Sequence, residues 1–225
     1  MRVLVMGASG MLGTDLLQEW QSDELIPASS RDADIRDSAQ VRALIDRHHP
    51  EWIVLAAAYS DVDNSERNRE LAFAVNGCGT ENVVQAAAEF GAKVLYISTD
   101  YVFDGKSAKP YEAEDPIAPL NAYGASKAAG EKAVQKLSNG WCIARTAWLF
   151  GTSGVSFPEK ILQAADTRPE LKVVADQYGT PTFTRDLAVA IRDLIHANAA
   201  NIVNVTNSGS CSWYEFQGNS APGRS

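Results

Sequence analysis

Tyr123 and Lys127 stand four residues apart, and Thr99 closes an apolar run upstream of them. On a helix, positions i and i+4 share a face, so the phenol and the ammonium would be neighbours. An ammonium beside a half-buried phenol favours the phenolate. It would draw the tyrosine down from its ordinary pKa of about 10, toward the range where it exchanges protons at neutral pH. With the Thr99 hydroxyl, the set matches what reduction of a carbonyl to an alcohol needs: a proton donor, a hydrogen-bond donor to the oxygen, and a charge that tunes the donor. Tyr-x-x-x-Lys alone is not specific, because a lysine snorkelling past a core tyrosine has the same spacing.

The start of the chain supplies the context. Arg2-Val3-Leu4-Val5-Met6 reads as a short buried strand and runs into Gly7-Ala8-Ser9-Gly10-Met11-Leu12-Gly13, after which the apolar spacing turns helical. Strand, glycine turn and helix together seat a dinucleotide pyrophosphate on the amides of a helix N-terminus, and that placement separates the pattern from an ordinary βα turn. Gly7 is expected to make the tight turn, Gly10 to let the backbone approach the pyrophosphate, and Gly13 to pack helix against strand. Ser9, Met11 and Leu12 would border the cofactor. A second strand, near residues 25–28, ends at Ser29-Ser30-Arg31. An acidic residue at that point accepts from the ribose 2′-hydroxyl of NAD. Here Ser30 and Arg31 stand instead, and arginine suits a phosphate, which favours NADPH and tolerates NADH unless Arg31 is an ordinary surface residue. Asp34 and Ile35 would border the adenine.

The elements that must position these residues alternate. Asp37 and Gln40 read as a capping pair before a helix whose face is Val41, Leu44, Ile45 and His48, stopped at His49-Pro50. Residues 52–58 form a continuous apolar run, a buried strand. Residues 59–68 are polar and read as a loop. Residues 71–90 read as one long helix despite Gly77 and Gly79, with Gly91 as its stop. Residues 92–97 are a strand, 104–119 a loop, 122–137 the helix of Tyr123 and Lys127, and 141–145 a further strand. Strands alternating with helices predict an α/β fold, a doubly wound parallel sheet of the Rossmann kind. Its ligands bind beyond the carboxyl ends of the strands, where Gly7, Arg31, Ala58, Thr99 and Trp148 all fall. Residues 1–150 are therefore expected to form the dinucleotide-binding domain with the catalytic helix. Residues 151–216 read as a smaller substrate lobe: a short helix at 157–165, a strand at 173–174, a turn-rich stretch at 176–182, a helix at 186–196 and a strand at 202–205.

Bulk properties narrow the classes. The chain has 225 residues, 45% of them hydrophobic, and a net charge of −8. No basic run interrupts the scattered charges, which argues against a nucleic-acid binder. Cys78, Cys142 and Cys211 are odd in number and far apart, so neither a disulfide framework nor a zinc site is expected. His48, His49 and His196 have no metal-ligand grouping. No leader-like apolar region precedes the first strand, and no stretch approaches membrane-spanning length. A cytoplasmic protein with reduced thiols is expected.

The chain resembles the dTDP-4-dehydrorhamnose reductases, a family within the extended short-chain dehydrogenase/reductases. The segments that carry the resemblance are the glycine turn, Ala56-Ala57-Ala58-Tyr59-Ser60-Asp61-Val62-Asp63, residues 98–105, Pro119-Leu120-Asn121-Ala122-Tyr123-Gly124-Ala125-Ser126-Lys127, and Arg145-Thr146-Ala147-Trp148-Leu149-Phe150-Gly151. They continue with Asp176-Gln177-Tyr178-Gly179-Thr180-Pro181-Thr182 and Ser212-Trp213-Tyr214-Glu215-Phe216. Their order separates this family from nucleotide-sugar epimerases that share the glycine turn. The resemblance implies a 4-keto nucleotide-sugar substrate, with Tyr123 protonating the nascent alkoxide, Lys127 tuning it and holding the nicotinamide ribose, and Thr99 bonding the carbonyl oxygen. It implies cofactor contacts at Ala56, Ala57, Ala58, Tyr59 and Asn76 beside those above, and a sugar pocket of Asp100, Tyr101, Phe103 and Trp148. Magnesium enters only because some relatives use it, and a homodimer stays open.

Three departures accompany the match. Leu55 replaces a usual asparagine, and Ser156-Phe157-Pro158 replaces an Asn-Phe-Val-like segment. The resemblance stops at Phe216, and residues 217–225 read as a disordered tail, so an incomplete substrate lobe with poor sugar turnover is expected. Two other readings stand beside this one. One is a non-catalytic nucleotide binder like the regulatory subunit of methionine adenosyltransferase, against which the intact Thr99, Tyr123 and Lys127 speak. The other is an epimerase or dehydratase on the same fold; a dehydratase would carry a further acid after Asp100.

Overall fold

The computed structural model describes residues 1–220 apart from Asn139, Val155 and Pro169. In chain order, β1 (Arg2–Met6), α1 (Met11–Glu19), β2 (Glu24–Ala28), α2 (Ser38–His48) and β3 (Trp52–Leu55) lead into α3 (Val62–Arg67) and α4 (Arg69–Phe73). A π-helical turn (Ala74–Gly79), α5 (Thr80–Phe90), β4 (Lys93–Thr99) and a 3₁₀ turn (Asp100–Val102) precede α6 (Ala122–Val134) and β5 (Trp141–Thr146). The rest comprises β6 (Leu149–Phe150), α7 (Phe157–Thr167), β7 (Tyr178–Gly179), β8 (Thr182–Phe183), α8 (Thr184–His196), β9 (Asn201–Asn204), β10 (Cys211–Ser212) and α9 (Trp213–Ser220).

The main sheet has the order β2-β1-β3-β4-β5-β9, and every pairing in it is parallel. Parallel strands covered on both faces need apolar side chains at successive positions, which is why β3 is an unbroken apolar run and β1 nearly one. Leu4, Met6, Ile53, Leu55, Val94, Tyr96 and Ile143 pack against α2 and α5 on one face. Val3, Val5, Val54, Leu95, Ile97 and Ala144 pack against α1 and α8 on the other. From β1 the chain goes outward to β2 and then returns across the sheet to β3, so the order reverses between β1 and β3. A crevice opens beyond the strand ends at such a reversal, and the glycine turn sits in it.

The doubly wound parallel sheet expected from the sequence is present, and several local expectations are corrected. Residues 62–67 are helical rather than loop. The Asp61 carboxylate accepts from the Asn64 amide at 3.0 Å, and this cap outweighs the polarity of the segment. The helix expected over residues 71–90 is interrupted by the π-helical turn, where Gly79 lies so close to Ile35 that a Cβ would stand 2.8 Å from its side chain. Residues 173–174 form no strand. The Val174 carbonyl instead accepts from the Tyr214 amide, and the ladder forms between Tyr178–Gly179 and Cys211–Ser212.

The boundary expected at residue 150 does not divide the sheet, because β9 pairs with β5 and α8 packs on α1 with Leu187 and Ile191 fully buried. Asp15 of α1 is itself buried and accepts from Thr184 Oγ1 at the head of α8. The tail expected from residue 217 is helical as far as Ser220. The Ser212 amide donates to Glu215 at 2.7 Å and the Glu215 amide to the Ser212 hydroxyl at 3.2 Å, a capping box that launches α9. Residues 221–225 lie outside the described residues.

Candidate active site

The glycine turn is closed by backbone alone. Gly7 has φ 94°, a conformation glycine tolerates, and the Gly7 and Ala8 amides both donate to the Ala28 carbonyl at 2.8 and 3.0 Å. A Cβ at Gly7 would lie 2.6 Å from the Ala57 nitrogen, and one at Gly13 would lie 2.2 Å from the Gly7 oxygen. Gly13 thus packs α1 onto the turn itself rather than onto a strand. Gly10 is the N-cap of α1 and offers no side chain to its first-turn amides, which leaves those donors free for an anion.

Two cavities, of about 520 and 440 Å³, meet at this turn. Gly7, Gly10, Ala56 and Ala58 line both. Ser9, Ser30, Asp34, Ile35 and Ala57 line the first. Met11, Leu12, Gly13, Thr99, Asp100, Tyr101, Tyr123, Lys127 and Trp148 line the second. Two cavities joined at a glycine turn and a helix N-terminus supply the length and the anion-binding amides that an extended dinucleotide needs. Arg31, Tyr59, Asn76 and Phe103 line neither cavity. Arg31 is exposed on the turn after β2, where its amide donates to the Ser29 hydroxyl at 3.2 Å. Phe103 is buried and stacked on Tyr111, with ring centroids 4.3 Å apart. Asn76 is buried and fully engaged: its Oδ1 accepts from the Tyr59 amide at 2.8 Å, and its Nδ2 donates to the Tyr59 carbonyl and the Ser126 hydroxyl at 3.0 and 2.9 Å. It thereby ties the backbone at Tyr59 to Ser126, whose hydroxyl donates to the Tyr123 carbonyl at 2.7 Å.

Asn121 caps the helix of the tyrosine, accepting from the Gly124 amide at 2.7 Å. Glycine at 124 is required because a Cβ there would stand 2.1 Å from the Tyr101 carbonyl oxygen. That contact brings Tyr101 edge-on to Tyr123, with ring centroids 5.7 Å apart and planes at 76°. Thr99 donates to Asp100 at 3.0 Å and accepts from the Tyr101 amide at 3.2 Å. Burial pushes the Asp100 carboxyl up to about 6.

Burial, reinforced by Asp100 and Tyr101 and opposed by the Thr99 hydroxyl, holds the Tyr123 phenol well above its ordinary value. This corrects the expectation that Lys127 brings the phenol down. Lys127 Nζ lies over the Tyr96 ring, 3.9 Å from its centroid, and it is not among the groups that shift the Tyr123 phenol. A phenol that stays protonated at neutral pH is the form a proton donor needs.

Burial also draws Lys127 down to about 7, against an opposing pull from Glu131. A lysine with a depressed native pKa binds fewer protons folded than unfolded between about 7 and its ordinary 10.5. Stability from this group therefore rises with pH across that window. At 1.36 kcal/mol per pKa unit, the gain is bounded at roughly 5 kcal/mol. Urea titrations from pH 7 to 10 should show the rise in wild type and its loss in Lys127→Met; an unchanged slope in the variant would remove Lys127 as the source.

Several lining residues were not singled out from sequence. Trp213 stacks on Trp148 with centroids 3.5 Å apart and planes at 12°. Phe157 packs on Trp213 at 4.3 Å, and both, with Lys160, line the second cavity. Trp148 reaches its place through a left-handed backbone, φ 46°. Its ring also meets Gly179, where a Cβ would be 2.4 Å away. Arg36 lines the first cavity. Trp213 and Gly179 lay within segments that matched the family, but their approach to Trp148 spans distances no local pattern encodes. Among the described residues, no group of three or more His, Cys, Asp or Glu side chains is placed to hold a metal ion. No helix among them is long and apolar enough to cross a membrane.

The profile of the RmlD substrate binding domain matches residues 1–219. The chain belongs to the RmlD family. It is 39% identical to the dTDP-4-dehydrorhamnose reductase of Streptomyces griseus, over 94% of this chain and 72% of that protein. It is also 39% identical to the dTDP-4-keto-6-deoxy-D-glucose reductase of Streptomyces niveus, over 96% of this chain and 76% of the relative. Among solved structures, the dTDP-4-dehydrorhamnose reductase of Bacillus anthracis str. Ames, determined in complex with NADP, superposes with a TM-score of 0.93 at 42% identity. That match covers 97% of this chain and 79% of the other. This RmlD-family chain thus shares its fold with a reductase solved with a nicotinamide cofactor.

Proposed function

We propose that the chain reduces the 4-keto group of dTDP-4-dehydro-6-deoxy-L-mannose (dTDP-4-dehydro-L-rhamnose) to give dTDP-L-rhamnose, using NADPH and accepting NADH. The observation that carries this is the meeting of two cavities at one glycine turn, with Thr99, Tyr123 and Lys127 all facing the second. The glycine turn and α1 hold the pyrophosphate, and Ser30, Asp34 and Ile35 border the adenosine. When bound, the nicotinamide supplies hydride to the carbonyl carbon. Thr99 Oγ1 donates to the carbonyl oxygen and stabilises charge as it develops there, and Tyr123 Oη delivers the proton to the same oxygen. Lys127 offsets negative charge in the buried site and supports the ribose. Trp148, backed by Trp213, walls the sugar, and Tyr101 closes the side nearest Tyr123.

A second reading rests on the Streptomyces niveus relative, a 4-keto-6-deoxy-D-glucose reductase of equal identity. The two substrates differ in ring stereochemistry next to the reacting carbon, which the Trp148 wall is placed to sense. The test follows NADPH absorbance with each 4-keto nucleotide sugar in turn. Faster consumption with the rhamnose precursor supports the first reading, and faster consumption with the glucose-type substrate supports the second. Binding of NADPH with no consumption in either arm would leave a non-catalytic nucleotide binder.

A further inference from the structure

We propose that Arg36, and not Arg31, is the residue that reads the adenosine 2′-phosphate and so sets cofactor choice; this rests on the reading of the first cavity as a nicotinamide-dinucleotide site. Arg36 is the cationic side chain in the lining of that cavity, which it shares with Ser29, Ser30, Asp34 and Ile35. Arg31, nearer to β2 in sequence, stands outside it. Asp32 accepts from the Ser29 amide and hydroxyl at 2.8 and 2.9 Å. This closes a turn that leaves Arg31 exposed at its crest, where, after the Ser29 hydrogen bonds, its charge helps hold the Asp32 carboxyl below its ordinary value.

Arg36 is held by one edge only. Its Nε donates to both Asp34 oxygens at 2.9 and 3.0 Å, and its Nη2 donates to Oδ2 at 2.5 Å. Asp34 is fixed in turn, because its amide donates to Gln40 Oε1 at 3.0 Å and Gln40 Nε2 donates to the Asp37 cap of α2 at 2.9 Å. A guanidinium carries five N–H groups in a rigid fork. With Nε and one Nη2 hydrogen committed, the Nη1 group stays free for a second anion, on a side chain about half exposed (49%) at the cavity rim. Ser30 adds a residue with a hydroxyl to the same lining. The pair also explains tolerance of both cofactors. Asp34 alone would repel a 2′-phosphate, and Arg36 cancels that repulsion before adding its own hydrogen bonds. A 2′-hydroxyl neither needs Arg36 nor is obstructed by it.

The measurement is calorimetric binding of NADPH, NADH, 2′,5′-ADP and 5′-ADP to wild type, Arg36→Ala and Arg31→Ala. Loss of a charge-assisted phosphate contact is expected to weaken NADPH and 2′,5′-ADP roughly 10- to 100-fold in Arg36→Ala. NADH and 5′-ADP should stay within about threefold, because the variant removes only a phosphate partner. Arg31→Ala should leave all four within the same margin. The proposal is overturned if Arg36→Ala weakens both cofactors equally, if the selective loss appears in Arg31→Ala instead, or if wild type binds NADH and excludes NADPH. If wild type binds neither dinucleotide, the cofactor-site reading itself fails and the proposal falls with it. Thermal melts of the variants separate a binding loss from misfolding.

Discussion

Tyr123→Phe is expected to lower turnover of the 4-keto nucleotide sugar by about 10²-fold or more while leaving NADPH affinity within a few-fold of wild type. The substitution removes one oxygen and keeps the ring, so the edge contact with Tyr101 and the cap of α6 by Asn121 survive. What is lost is the proton for the developing alkoxide, and general acids contribute typically 10²- to 10⁴-fold. The Thr99 hydroxyl, beside the phenol, can hydrogen-bond the oxygen, but an aliphatic alcohol is a far weaker acid than a phenol and is a poor substitute as the donor. Because burial holds the phenol above its ordinary value, wild-type Tyr123 is fully protonated across the neutral range. The acid limb of the rate profile should then follow Asp100, raised to about 6. Steady-state kinetics and a fluorescence titration of NADPH on the same preparation give both quantities. Turnover within threefold of wild type would remove Tyr123 as the donor.

The parts of this site that were legible in the sequence are those specified locally. The glycine turn follows its strand directly, and its close backbone approaches at Gly7 and Gly13 exclude every larger side chain. Tyr123 and Lys127 share a helix face by spacing alone. The illegible parts depend on contacts between elements far apart in the chain. The Lys127 ammonium was expected beside Tyr123, yet Tyr96 of β4 captures it, and nothing in the spacing of α6 announces that ring. Arg31 follows β2, the place where a phosphate partner is expected, and the Ser29–Asp32 turn leaves it exposed and outside the cavity lining, which holds Arg36 instead. Asn76 carried a family role at the cofactor, whereas the π-helical turn aims its amide at the Tyr59 backbone and Ser126. The return of α8 to α1 turns on Asp15 and Thr184, 169 residues apart. Periodicity recovers elements, and only the folded chain shows which of them meet.

One such long-range contact should matter for stability as well as for the site. Glu131 and Arg145 form a buried ion pair, with side-chain exposures of 2% and 4%. Nε and Nη2 of Arg145 donate to the two carboxylate oxygens at 2.9 and 2.8 Å. Ser98 donates to Glu131 at 2.6 Å, and Arg145 Nη1 donates to the Ala113 carbonyl at 3.0 Å. The pair thus joins α6, one turn beyond Lys127, to the ends of β4 and β5 and to the loop over them. Removing one partner of such a pair strands the other charge in the interior, at about 3–5 kcal/mol. Glu131→Gln is therefore expected to lower the unfolding free energy by that amount, and the melting temperature by roughly 10 °C.

The cost has a second component, since Glu131 is also the charge that supports the Lys127 ammonium against burial. In the variant, Lys127 should release its proton at a lower pH, so NADPH affinity should weaken more at pH 8 than at pH 6. An apolar double replacement, Glu131→Leu with Arg145→Met, should recover part of the stability, because no charge is left unpaired between those two positions. It should not recover the pH dependence, because Lys127 still lacks its counter-charge. Chemical denaturation of the three proteins at two pH values decides the matter. If Glu131→Gln costs under 1 kcal/mol, the pair holds its geometry without holding the fold; if the double variant restores the wild-type pH response, the influence of Glu131 on Lys127 is refuted.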